Sequence, residues 1–277
     1  MPLSSDKEVL RLKLSSIPVG DLRYFAQNLG INSTGKGAEL IKKILDESIG
    51  ESTIDSFIKQ RFAKCIEERR RLIPDYDLKG ELDKVKEFSW GVVQGQLDQK
   101  IQAEYVRKFV RYNELLDGIN SKLQDDVTKY VICTWFNHWT TVLIEEHISM
   151  HPRVVPTLKN IKGTDIFFGS QPFDLKVTYL PRDYNISSAI SNPRKLAVWM
   201  YENQGAQRFG ADNRLFVVLL DKDNPDRSWK LKRNFPLVFE NIDNFFSEED
   251  VSEADEVIFN FNGNTYTAMS KVLLITG

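Results

Sequence analysis

Gly163-Thr164-Asp165-Ile166-Phe167-Phe168-Gly169-Ser170-Gln171-Pro172-Phe173-Asp174-Leu175-Lys176-Val177-Thr178 is the stretch that decides how this chain is read. Ile166 to Phe168 and Phe173 to Thr178 are rich in aromatic and β-branched residues, and Gly-Ser-Gln-Pro between them is turn chemistry. A hairpin looped at those four residues sets Phe168 opposite Phe173 and Asp165 opposite Lys176. Directly opposed residues share a face of the sheet, and neighbours along a strand alternate. Ile166, Phe168, Phe173, Leu175 and Val177 then form one apolar face, and Asp165, Asp174 and Lys176 gather on the other. A one-residue slip would mix the two sets, so the apolar pattern itself supports the alternation.

Two carboxylates and an ammonium on one face suit a particular chemistry. An exposed hairpin with a simple ion pair would also carry Asp-x-Lys, but both strands are too hydrophobic for a freely solvated ribbon. Paired carboxylates gather a hard cation such as Mg2+, with Mn2+ as a substitute. Such an ion polarises a phosphoryl oxygen, and a neighbouring lysine stabilises developing charge.

These residues resemble the signature of the PD-(D/E)XK nuclease superfamily, which includes many type II restriction endonucleases. Asp165 matches its first carboxylate, Asp174 the second and Lys176 the lysine, while Thr164 stands where the family name expects proline. The resemblance covers roughly residues 126–220. It implies a Mg2+-dependent DNA endonuclease, expected to be a type II restriction enzyme, with the Leu175 carbonyl completing the metal shell. A repair, recombination or phage-defence nuclease is the alternative within the same chemistry. A non-catalytic DNA-binding protein retaining the fold is the alternative outside it.

Residues 131–148 read as a helix, with Val131, Ile132, Trp135, Phe136, Trp139, Val142 and Leu143 at helical spacing. On a wheel of about 100° per residue, Glu146 falls near the middle of that apolar face and Glu145 at its edge. A core-facing acid is costly unless paired or bound to metal. Superfamily members often place a glutamate on this helix, so Glu146 is expected as the third metal ligand. Downstream, residues 192–208 read as an amphipathic helix and Leu215 to Leu220 as a buried strand. Together these match an αβββαβ core. Gln204, and more loosely Gln207, resembles a glutamine that some relatives place beside the site.

Near the N-terminus, Ile17-Pro18-Val19-Gly20-Asp21-Leu22-Arg23 opens a helix and Leu29-Gly30-Ile31-Asn32-Ser33-Thr34-Gly35-Lys36-Gly37 is a turn. A second helix starts at Ala38. This pair looks like a SAP motif over about residues 10–47. The resemblance implies DNA contacts from Arg23, Lys36, Lys42 and Lys43, with glycines supplying left-handed backbone where the turn needs it.

The expected architecture is α/β. A restriction-endonuclease-like core, a mixed central sheet flanked by helices, follows an all-α region containing the SAP-like hairpin. The divisions are a SAP-like DNA-binding module at 1–50, a helical linker or dimerisation region at 51–125 and the nuclease domain at 126–277. Pro74-Asp75-Tyr76-Asp77 breaks the helices of the middle region. Residues 229–239 and 256–275 alternate enough to suggest strands, with Asn262-Gly263 as a hairpin turn.

Net charge is only −2, yet residues 153–234 carry fourteen Lys and Arg against eight Asp and Glu, a balance of +6. Residues 235–277 carry one Lys against eight acids. Positive charge therefore gathers where phosphates would be neutralised. The partner expected is double-stranded DNA, and double-strand cutting favours a homodimer. No membrane span is expected, because no run of eighteen apolar residues occurs. The N-terminus lacks a signal peptide's pattern, so the expected compartment is the cytoplasm, of a bacterium or archaeon. Cys65 and Cys133 are expected as reduced thiols and can assemble no cysteine-based zinc site. His138, His147 and His151 lie in no metalloprotease motif.

Overall fold

A computed structural model describes residues 4–88, 95–203 and 212–277. It is α/β, with eleven α-helices and a six-stranded mixed sheet among those residues. Contacts divide the chain into two compact units, Met1–Leu72 with Ile144–Gly277, and Ile73–Leu143.

The first unit opens with helices α1 (Asp6–Ser15), α2 (Val19–Asn28), α3 (Gly37–Asp46) and α4 (Glu51–Leu72). Ser5 caps α1 in a reciprocal box with Glu8. The turn between α2 and α3 uses left-handed backbone at Gly30 (φ 72°) and Gly35 (φ 114°). Lys13 is buried at 2% exposure, with its Nζ 2.7 Å from Glu51 and 2.6 Å from Asp55. Such a buried cation is tolerated because two carboxylates satisfy it.

The second unit contains α5 (Asp75–Leu82), α6 (Gly95–Ile101), α7 (Tyr112–Gly118) and most of α8 (Gln124–Met150). Pro74 precedes α5 as its N-cap residue. Leu78, Leu82, Val85, Tyr105, Cys133, Phe136 and Leu143 are among its buried side chains.

After α8 come β1 (Val154–Ile161), β2 (Thr164–Phe168) and β3 (Gln171–Tyr179), then α9 (Ile186–Ser191), α10 (Pro193–Asn203) and β4 (Arg214–Leu220). A 3-10 segment, Pro225–Arg233, leads into α11 (Phe235–Glu248), β5 (Glu256–Phe261) and β6 (Asn264–Thr276). The sheet order is β1-β2-β3-β4-β6-β5. β3, β4 and β6 run parallel at the centre, with antiparallel neighbours at both edges. All seven residues of β4 are buried, as a continuous apolar run between two ladders requires.

One face of the sheet packs Ile166, Phe168, Phe173, Leu175, Leu215 and Val217 against Ile144 and Ile148 of α8 and Val238, Ile242 and Phe246 of α11. On the other, Phe216 and Val218 meet Leu196, Ala197, Met200 and Tyr201 of α10. Val155 and Phe167 share a further core with α1 to α4. The N-terminal helices thus fold onto β1 and β2.

Two sequence expectations are corrected here. Residues 229–239 are not a strand: they finish the 3-10 segment and start α11. Phe235, Val238, Ile242 and Phe246 are spaced at three and four, and Pro236 sits where a helix start tolerates it. The β2–β3 loop is also shorter than four residues. Gly169 (φ 55°) and Ser170 (φ 54°) both adopt left-handed backbone, making a two-residue turn whose twist suits the strands. Phe168 therefore pairs with Gln171 and Ile166 with Phe173. The shift is two residues, so every side chain keeps its expected face. Asn262 and Gly263 do turn β5 into β6, with φ 48° and 78°.

Gly163 closes the β1–β2 turn at φ 70°, and a β-carbon there would lie 2.5 Å from the Asp212 carboxylate carbon. Gly163→Ala should destabilise the fold by about 1–3 kcal/mol, through backbone strain and displacement of Asp212. Equilibrium denaturation measures it; an unchanged midpoint would contradict the account.

Candidate active site

The β2–β3 ladder ends at Ile166 and Phe173, and from Asp174 onward β3 pairs with β4. Carried one step further, the β2 register sets Asp165 opposite Asp174. There a side chain replaces the ladder: the Leu175 N–H donates to Asp165 Oδ2 at 2.8 Å. Asp174 and Leu180 donate their N–H groups to the Asn213 and Leu219 carbonyls on the β4 side. Backbone groups alternate along a strand, so the intervening Leu175 directs its N–H and its carbonyl towards β2. Lys176, opposite Phe216, shares the face of Asp174, opposite Arg214.

Among the predicted acids, Asp165 and Asp174 come together, close enough for Asp174 to raise the Asp165 carboxyl. The Asp165 carboxyl is pushed above the usual range, first by desolvation and further by Asp174, while the Leu175 N–H opposes the rise. Solvent screens part of this, because Asp165 as a whole is exposed.

Glu146, the expected third acid, is engaged by an arginine. It accepts from Arg69 of α4, whose Nε lies 3.0 Å from Oε1 and whose Nη2 also reaches Oε2. Glu145 lies in the field of Asp165, Asp174, Lys176 and Lys232 instead. The reason is rotational. The last turns of α8 face the sheet through Ile144 and Ile148. One residue past Ile144 flanks that stripe at about 100°, whereas two residues past lies at about 200°. The expected apolar face was averaged with Val131 and Ile132, which are 53% and 42% exposed. Desolvation pushes the Glu145 carboxyl up to about 7, and Asp165 adds to the rise.

Two basic residues not singled out in the sequence complete the surroundings. Lys232, from the 3-10 segment, is 3% exposed, with its Nζ 5.8 Å from the Tyr179 ring centroid. Burial pulls its ammonium down to about 7, against the pull of Glu145. Arg214 Nε lies 3.0 Å from Asp174 Oδ2. Their sequence surroundings hid both: Arg214 opens a hydrophobic strand, and Lys232 sits in a basic run that reads as solvated surface.

Among the described residues, no group of three His, Cys, Asp or Glu side chains is arranged to hold an ion on its own. Magnesium asks for less, since one or two carboxylates suffice when waters and substrate phosphates complete its octahedron. Asp165 and Asp174 offer hard oxygen donors of that kind. The Asp165 and Glu145 carboxyls are both raised first by desolvation, with the neighbouring acids adding to the rise.

In the N-terminal helices, Arg23 donates to the Gly35 carbonyl at 3.3 Å and Lys43 to the Thr34 carbonyl at 2.8 Å, so both hold the turn. Lys36 and Lys42 are exposed. Arg11 and Lys159 line a cavity of about 230 Å³ beside Gly37 and Ala38, at the start of α3. Gln204 and Gln207 fall outside the described residues. Among the described residues no helix is long and apolar enough to cross a membrane. No family model, no curated protein and no solved structure matches this chain.

Proposed function

We propose that this chain is a Mg2+-dependent DNA endonuclease of the PD-(D/E)XK type, acting as a restriction enzyme on double-stranded DNA. One observation carries the proposal: Asp165, Asp174 and Lys176 gather where the β2–β3 ladder parts, with Glu145 as a third acid in their field. The order of α8, three strands, α10 and β4 supports a restriction-endonuclease-like core. The α2–turn–α3 hairpin, with Lys36 and Lys42 exposed, supports a SAP-like contact with the DNA backbone.

Asp165 and Asp174 would hold the cation, with the Leu175 carbonyl directed towards β2 beside them. Magnesium bound there supplies positive charge against the phosphoryl oxygens. Glu145 adds negative charge that a cation would neutralise. Lys176 orients the attacking water by hydrogen bonding and stabilises charge as the phosphodiester breaks. The Leu175 N–H fixes the Asp165 carboxylate, so that part of the site is preorganised before substrate arrives.

Incubation of supercoiled plasmid with Mg2+ should give nicked and linear DNA, and chelator should stop the reaction. Discrete fragments are the result expected of a restriction enzyme; preferential cutting of branched or damaged DNA would move the assignment to repair. Cutting that persists in excess chelator would defeat the proposed chemistry.

A further inference from the structure

Asp174 is held from one side by a residue the catalytic signature does not include. Arg214 is its cross-strand partner on β4, and the Arg214 side chain is 10% exposed. Its Nε donates to Asp174 Oδ2 at 3.0 Å. The guanidinium carbon lies 5.5 Å from the Tyr201 ring centroid. Tyr201 is itself fixed, since its hydroxyl donates to the Asp212 carbonyl at 2.8 Å and its ring stacks on Phe259 at 4.3 Å. Ser270 Oγ donates to the Arg214 carbonyl at 3.1 Å, tying the same residue to β6. An arginine packed against an aromatic ring and fixed at its backbone has few rotamers left, so the carboxylate it grips has few as well.

Resting on the nuclease reading above, we propose that Arg214 is a positioning residue for phosphodiester cleavage. It pins Asp174 through Oδ2, which would leave the rest of the carboxylate oriented for a divalent cation held together with Asp165. The guanidinium also competes with the cation for the same carboxylate, as one positive charge does with another at this range. These two effects pull a variant's properties in opposite directions. Loss of the arginine relieves the competition and frees the carboxylate, so metal binding and turnover separate.

The test uses the full-length protein and Mn2+ as the probe. Mn2+ binding is measured by titration calorimetry or electron paramagnetic resonance, and plasmid cleavage gives kcat and KM. Arg214→Gln should bind Mn2+ at least as tightly as the wild type, while kcat falls by about tenfold or more and KM for DNA stays nearly constant. Arg214→Lys restores the charge without the planar fork and should recover part of kcat. If Arg214→Gln does not fold, as judged by circular dichroism and melting temperature, the lysine variant carries the test and a several-fold loss of kcat is expected. Wild-type kcat in the folded variants overturns the role of Arg214 and leaves the nuclease reading standing. Parallel loss of Mn2+ affinity, kcat and melting temperature also overturns it, since that is what general structural support would give. A wild-type protein that neither binds Mn2+ nor cuts DNA overturns both.

Discussion

Asp174→Asn should lower Mg2+-dependent DNA cleavage by roughly a thousandfold, about 4 kcal/mol of lost transition-state stabilisation. Asparagine is preferable to alanine for a physical reason. Arg214 is nearly buried against Asp174, and truncation would leave that charge without its 3.0 Å partner. The amide oxygen keeps the acceptor and removes the negative charge. Melting temperature should therefore fall less than in an alanine variant while turnover collapses. Lys176→Met should lose activity on a similar scale, since it keeps the apolar stem and deletes only the ammonium. Initial rates on plasmid DNA, with circular dichroism on the same samples, provide the check. Cleavage undiminished in both variants would remove the assigned mechanism.

The shared face of the three candidate residues could be read in the sequence because alternation along a strand is insensitive to an even shift. The expected loop of Gly169 to Pro172 is two residues too long, yet Asp165, Asp174 and Lys176 keep their face and Phe168, Phe173 and Leu175 keep theirs. A helix is less forgiving. On α8, one position turns a side chain by about 100°, and that separates Glu145 at the site from Glu146 on Arg69. The sequence pattern of α8 blends residues from two units, so no single apolar face defines its rotation. Residues 229–239 failed differently. Trp229, Leu231 and Phe235 mimic alternation, and only the packing of Val238, Ile242 and Phe246 shows the helical period. Arg214 and Lys232 were illegible for a third reason: burial of a charge depends on partners distant in the chain, which local patterns do not carry.

Glu145→Gln makes the converse case, that the cluster is organised for a cation at a cost to the protein without one. The Glu145 carboxyl rises from 4.5 to about 7 in the folded chain. Between those values the folded state binds more protons than the unfolded state, so stability falls as pH rises through the window. Above pH 7 the ionised carboxylate remains close to Asp165 and Asp174, and the nearby Lys232, itself pulled down to about 7, is losing the charge that would offset it. Glutamine has no charge to bury. In chelator, the variant should be more stable than wild type at pH 8, by at most about 3 kcal/mol, with the difference fading towards pH 5. Millimolar Mg2+ should narrow the gap at pH 8, because the intact acid cluster binds the ion more tightly than the two aspartates left in the variant. Urea melts at the two pH values, with and without the ion, read all three effects. A glutamine variant less stable than wild type at pH 8 in chelator would mean that Glu145 is a satisfied structural acid, and its place in the proposed metal cluster would be lost.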